Sequence, residues 1–181
     1  NDFNEPSDDF VGNFFTESTP SGFNDNAIHS LHPYPLGFGV LGSGSFTYML
    51  KKPIRIDEEE ALFCYYVIVL VDPVYVSTGI LASKDNGETW FEIVRYGTND
   101  QPDVWGPVFA NGGSGDASLY RNRMIELIES PQINDGDIVL LRFKLERRGR
   151  ASGWGWPIDN LEIQTQVIHS IDIEPEAIGK A

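Results

Sequence analysis

The 181-residue chain has a single cysteine, Cys64, and only 13 basic residues against 27 acidic ones. One thiol excludes an intrachain disulfide, so the fold must be held by packing or by metal. Its setting in "LFCYYVIVLV" reads as a buried apolar thiol, not a nucleophile. A formal charge of -14 and a pI near 4.4 exclude partners met through a phosphate backbone or an anionic lipid surface, both of which this chain would repel. Long hydrophobic runs are missing too. The longest, Leu62 to Val71, is too short to cross a bilayer, so neither nucleic acid nor membrane insertion is expected. No secretory leader is visible, and the chain reads as a mature or excised module of an exported protein.

What the chain does have is apolar material, 41% hydrophobic and 12% aromatic, enough for a real core in one domain. Residues 1–8 are polar and broken by Pro6, and read as a linker leading into the first strand; the domain spans 9–168, and 169–181 reads as a C-terminal tail. Within the domain, short apolar segments such as "SFTYMLKKPIRI", "TWFEIVRY" and "DIVLLRFKLER" are punctuated by Gly, Pro, Asn and Asp. That cadence predicts an all-β antiparallel sandwich or barrel with little helix. Leu141, Phe143 and Leu145 alternate with Arg142, Lys144 and Glu146, and Leu161, Ile163 and Val167 with Glu162, Gln164 and Gln166, which gives each segment one buried and one wet face. "YYVIVLV" does not alternate; its β-branched and aromatic content favours a strand covered on both sides over a buried helix. "RNRMIELIES" fits either a short helix or a strand, and 98–118 is the longest loop-like stretch.

"SKDNGETW", residues 83–90, has the Ser-x-Asp-x-Gly-x-Thr-Trp spacing of the Asp-box of sialidase-like propellers. Asp85 is placed to accept turn N–H groups, Gly87 to take a positive φ and Trp90 to pack back over a hairpin. One copy in a chain too short for several blades points to a folding device between two strands, not to a glycosidase, which needs paired carboxylates.

The ordered set "DDFVGNFF", "GFNDNAIHSLHPYP", "YMLKKPIRI", "VIVLVDP", "SKDNGETW", "DGDIVLLRFKL" and "GWGWPIDNLEI" resembles the jelly-roll β-sandwich accessory domains of secreted bacterial surface proteins, MAM-like and carbohydrate-binding-module-like. The resemblance implies a two-sheet jelly roll whose first and last strands lie side by side, with a structural calcium near that junction. It implies a non-catalytic role in adhesion or glycan binding. The chain reads Asp9-Phe10-Val11 where many such domains have Asp-Phe-Glu.

Calcium takes oxygen ligands, and Asp9, Asn24, Asp25 and Asp159 are the expected donors if the jelly roll brings them to one end. For glycan, Trp105, Trp154 and Trp156 supply flat faces to stack on sugar rings, with Asp103 and Asn111 to fix hydroxyls. "HSLH", with His29 and His32, and the isolated His169 do not read as a zinc site off a helix. "GFGVLGSGS" lacks the Gly-Lys-Ser/Thr of a phosphate loop, and no nucleophile elbow occurs. "KLERRGR", residues 144–150, concentrates positive charge on an acidic chain, to balance local carboxylates or to dock an acidic partner. The expectation is a cell-surface or extracellular module that binds polysaccharide or glycan, or else a structural spacer or protein-docking domain within a larger surface assembly.

Overall fold

The computed structural model describes residues 2–5, 8–13, 15–20, 22–30, 44–57, 62–148 and 153–164. His32, His169, the tail and most of "GFGVLGSGS" lie outside them. In chain order the strands are β1 (Phe10–Asn13), β2 (Phe15–Ser18), β3 (Ala27–Ser30), β4 (Gly44–Leu50), β5 (Ile54–Arg55), β6 (Leu62–Val67), β7 (Leu70–Val71), β8 (Val76–Ser83), β9 (Phe91–Tyr96), β10 (Arg121–Glu126), β11 (Ile138–Arg147), β12 (Gly153–Gly155) and β13 (Pro157–Gln164). One short helix, α1 (Trp105–Ala110), falls between β9 and β10. No helix among the described residues is long and apolar enough to cross a membrane.

The strands form the expected all-β, two-sheet antiparallel sandwich of jelly-roll type. One sheet runs β1-β4-β11-β8-β9, with β5 also on β11; the other runs β10-β6-β13-β3-β2; β7 and β12 make a separate pair. The first and last strands do not lie side by side. β1 is an edge of the first sheet, while β13 sits inside the second between β6 and β3. The expected neighbour relation is met by β3 and β13 instead, with Ile28 opposite Ile158.

β11 alternates as its sequence predicts, with Leu141, Phe143 and Leu145 inward and Arg142, Lys144 and Glu146 outward. β13 does not keep one phase. Its register on β6 shifts between Asp159 and Glu162, where Asn160 takes φ 47°, so Ile158 and Leu161 both point inward. An extra residue in a bulge reverses which parity faces the core. Ile163 keeps the phase of Leu161, opposite the buried Phe63, and is 39% exposed next to the end of the strand.

"YYVIVLV" also divides. Tyr65 and Val67 are buried on β6 with Tyr66 exposed between them, and only from Val67 to Val71 is every side chain enclosed. Cys64 lies half-buried on the outer face, opposite Met124 and Glu162, instead of in the core. "RNRMIELIES" is the strand β10 followed by a single 3-10 turn, Leu127–Glu129.

The core is an aromatic contact between the sheets. Phe143 of β11 lies 5.9 Å from Phe63, 5.8 Å from Tyr65 and 6.0 Å from Trp156, ring centre to ring centre. Tyr65 also meets Tyr96 of β9, hydroxyl to hydroxyl. Phe3, within the segment that reads as a linker, is buried against Phe10 and Tyr48 and belongs to the core.

The Asp-box is the hairpin between β8 and β9. Asp85 Oδ1 accepts from Thr89 N at 2.8 Å, and Ser83 Oγ donates to Oδ1 at 2.7 Å while accepting from Gly87 N at 2.8 Å. Trp90 Nε1 donates to the Gly87 carbonyl at 3.0 Å. Asn86 and Gly87 take φ 57° and 93°, so the turn needs residues tolerant of the left-handed region. Hydrogen bonds from the Thr89 side chain, then the Thr89 backbone, then Ser83 lower the Asp85 carboxyl from 3.8 to about 2. A carboxyl depressed on folding stabilises the protein fully above its unfolded value, and that contribution fades as pH falls through the folded one. Melting curves should therefore show wild type above Asp85→Asn by a gap that is constant above pH 4 and closes as pH falls toward 2. A gap independent of pH would remove the ionised carboxylate from the account of this hairpin.

Candidate functional site

The expected glycan platform is not assembled. Trp105 and Trp156 are both 0% exposed. The Trp105 indole N–H donates to the Leu119 carbonyl at 2.9 Å, and the Arg123 guanidinium stands 5.7 Å from its ring centre. Trp156 is packed on Phe143. The sequence reading has both present a face to sugar, and the apolar area of an indole is better satisfied in the core. Asp103 and Asn111 are exposed beside α1, where Asn111 Nδ2 caps the helix by donating to the Pro107 carbonyl at 2.8 Å, but the aromatic face they were to serve is buried.

Trp154 remains half-exposed. It stacks on Phe23 with ring centres 5.9 Å apart, and Phe23 meets Tyr120 edge-on at 5.6 Å. The loop carrying Gly115 lies so close to the indole that a Cβ there would fall 2.3 Å from the Trp154 ring. The indole is thus wedged between the β2–β3 turn and the loop before β10.

The expected metal ligands divide between the two sheets. Asp9, at the start of β1, forms an ion pair with Lys52 at 3.3 Å. Asn24 and Asp25 are exposed in the β2–β3 turn, and Asp159 is half-buried on β13. Because β3 pairs with β13, this turn approaches Asp159, whose carboxyl is pushed up first by burial and then by the charges of Asp2 and Asp25. The Tyr120 phenol is raised by burial and by Asp159 and Asp25, and among the described residues its buried hydroxyl has no hydrogen-bond partner. Asp2 was missed in the sequence because the segment before Asp9 reads as a linker. Asn4 Oδ1 accepts from Asn26 N at 3.0 Å and lays that segment on the turn.

A second site is formed at the sandwich end where β7, β8, β9 and β11 meet: a cleft of about 380 Å³ walled by Val74, Tyr75, Arg95, Asn99, Asp100 and Arg148, with Ser77 at its side. Val74 is 75% and Tyr75 55% exposed, an apolar pair standing in water. Their turn is rigid, since Asp72 Oδ1 accepts from Val74 N at 2.9 Å and from Tyr75 N at 3.0 Å. The opposite wall is fixed as well. Asp100 Oδ2 accepts from Gly97 N at 3.0 Å, and Thr98 Oγ1 donates to the Val71 carbonyl at 2.6 Å while accepting from Val71 N at 2.9 Å. The sequence signal was "DPVY", an Asp-Pro turn presenting Val and Tyr where turns ordinarily carry polar residues.

The sandwich recurs in the K1 cleaved adhesin domain of Lys-gingipain from Porphyromonas gingivalis W83, at 10% identity and a TM-score of 0.56 over 91% of this chain and 96% of that one. Looser likenesses are to a carbohydrate-binding module specific for non-crystalline cellulose, CBM28 (11% identity, TM-score 0.49, 83% and 79% covered), and to the mannan-recognising module TmCBM27 (12%, 0.48, 91% and 94%). No family model matches the chain, and no curated protein matches it in sequence. At such identities the likeness is one of fold.

Gly115→Ala tests the wedge around Trp154. The added methyl must push the indole off Phe23, so tryptophan emission should shift to the red and quenching by acrylamide should rise. Trp105 and Trp156, being enclosed, contribute nothing to that change. Unchanged emission would show that Trp154 is not held by this contact.

Proposed function

We propose that the chain is a non-catalytic, extracellular or surface-attached recognition module, binding glycan as an accessory or adhesive domain of a larger exported protein. The cleft beside Tyr75 carries this reading. A half-exposed aromatic ring on a rigid turn is surrounded there by amide, hydroxyl, carboxylate and guanidinium groups. Pyranose rings offer apolar C–H faces and a rim of hydroxyls, and such a surface meets both. Its volume lies within the range of small-ligand sites, about 300 to 1,000 Å³. Sharing a fold with an adhesin domain fits the role. A non-catalytic reading also fits Cys64, whose thiol is pushed up by burial and then by Glu162, the opposite of what an attacking thiolate needs.

Calcium belongs to the same proposal, at the other site. Asp25 and Asp159, with Asp2 beside them, form a patch of like charge that a hard cation would relieve, and the Tyr120 hydroxyl, without a hydrogen-bond partner among the described residues, feels the charges of Asp159 and Asp25. Asp9 does not fit, being paired with Lys52. Among the described residues no three His, Cys, Asp or Glu side chains form a ready cage, so backbone and amide oxygens and water would complete the shell. The ion would supply structural stability, not chemistry.

Two measurements test these readings. On a glycan array and a polysaccharide panel the protein should bind, and Tyr75→Ala should lose about tenfold or more in affinity with its melting temperature unchanged. No binding anywhere on the panel would overturn the glycan reading in favour of protein docking, for which exposed Tyr66 and Met124 on the outer face of the β6 sheet are the first surface to mutate. For calcium, the melting temperature should rise in calcium over chelator. Asp159→Asn should abolish that rise while raising the stability of the metal-free protein, since it removes a half-buried charge that faces Asp2 and Asp25. Equal melting in both buffers would sink the calcium assignment.

A further inference from the structure

The Tyr75 cleft has a donor left over. Asp100, the carboxylate in its wall, accepts the Gly97 amide, and Asp72, next to the wall in sequence, accepts the turn amides of Val74 and Tyr75. Arg95 turns its fork to Glu92, donating from Nε at 3.0 Å and Nη2 at 2.7 Å to the same carboxylate oxygen. Along the end of β11, Lys144 is paired with Glu146 at 3.0 Å, and Arg147 is buried. That leaves Arg148. Its backbone N–H donates to the Tyr75 carbonyl at 2.8 Å, which fixes its Cα beside the tyrosine, and the residue is exposed in the wall of the cleft. Among the described residues its guanidinium makes no salt bridge, and its charge acts on Glu146 only behind that of Lys144, which holds the carboxylate directly.

We infer that this cleft recognises a carboxylate-bearing sugar, a uronic acid unit within an acidic polysaccharide, with the sugar ring against Tyr75 and the carboxylate on Arg148. The inference rests on the glycan reading above and narrows it. A guanidinium presents a planar pair of N–H donors that matches the two oxygens of a carboxylate, a match a neutral hydroxyl does not make. The protein's charge of -14 does not forbid this. At physiological salt, charges more than about 8 Å away are largely screened, so the groups within the cleft decide. The overall charge instead sharpens selection, since a polyanion gains only where a local cation receives it. The basic cluster "KLERRGR" thereby divides its work: Lys144 balances the surface, and Arg148 meets the ligand.

The test is calorimetric titration of the intact chain, in calcium-free buffer near physiological salt, with an oligogalacturonate and with the same oligomer after reduction of its carboxyls to alcohols. The acid should bind at least about tenfold more tightly than the reduced form. Arg148→Ala should erase that preference with no change in melting temperature, Arg148→Lys should restore part of it, and Tyr75→Ala should weaken both ligands. Equal binding of the two forms, lost in Tyr75→Ala, would overturn the carboxylate inference and leave the glycan reading standing. Failure of both, together with every neutral polysaccharide tried, would overturn the reading itself. Binding of a polyglutamate peptide as tight as that of the oligogalacturonate would overturn the assignment to sugar, and a preference for the acid that survives both Arg148→Ala and Tyr75→Ala would place the site elsewhere.

Discussion

The contact of Phe143 with Phe63, Tyr65 and Trp156 is what makes two sheets into one molecule. Each sheet is hydrogen-bonded within itself, so nothing in its ladders fixes its position on the other. Enclosing each of these rings is worth about 2 to 3 kcal/mol, and tilted or edge-to-face pairs about 1 kcal/mol more. With one cysteine the chain has no covalent alternative. The loops at both ends inherit their placement from this contact, because β6, β11 and β13, which carry the rings or lead directly from them, also carry or adjoin Arg148, Asp159 and the β7 anchor of Thr98.

The surplus of carboxylates is largely used locally instead of forming one acidic face. Asp85 closes a hairpin, Asp72 and Asp100 stiffen the two walls of the Tyr75 cleft, Asp116 caps the turn before β10 by accepting from Ser118 N, and Asp137 accepts from Asn134 N while pairing with Lys84. Carboxylates in this role act as turn caps, which satisfy backbone donors at chain reversals and cost little at an exposed position. The exception is the Asp2, Asp25 and Asp159 group, where charge faces charge and one carboxyl is raised.

Much of the sheet architecture was legible along the chain because alternation is local. The faces of β11 and the Asp-box hairpin follow from neighbours a few residues apart, and both formed as read. The candidate sites were less legible. Whether an indole is a platform or a core residue depends on what crosses over it, and Trp105 and Trp156 differ from Trp154 only through the Leu119 carbonyl, Phe143 and the Phe23 turn, each remote in sequence from the ring it meets. Asp9 and Asp159 look equivalent as donors, yet they stand on different sheets and one is taken by Lys52.

By itself, then, the sequence determined an all-β antiparallel chain with no disulfide and an acidic surface, because strand period, turn residues and charge are properties of short segments. The tertiary structure alone decided which aromatics are enclosed, which carboxylates meet, that Phe3 belongs to the core, and that Tyr75 and Arg148 share a cleft. Those relations arise from the order of strands across two sheets and from the bulge in β13, and strand order depends on how the whole apolar surface packs at once.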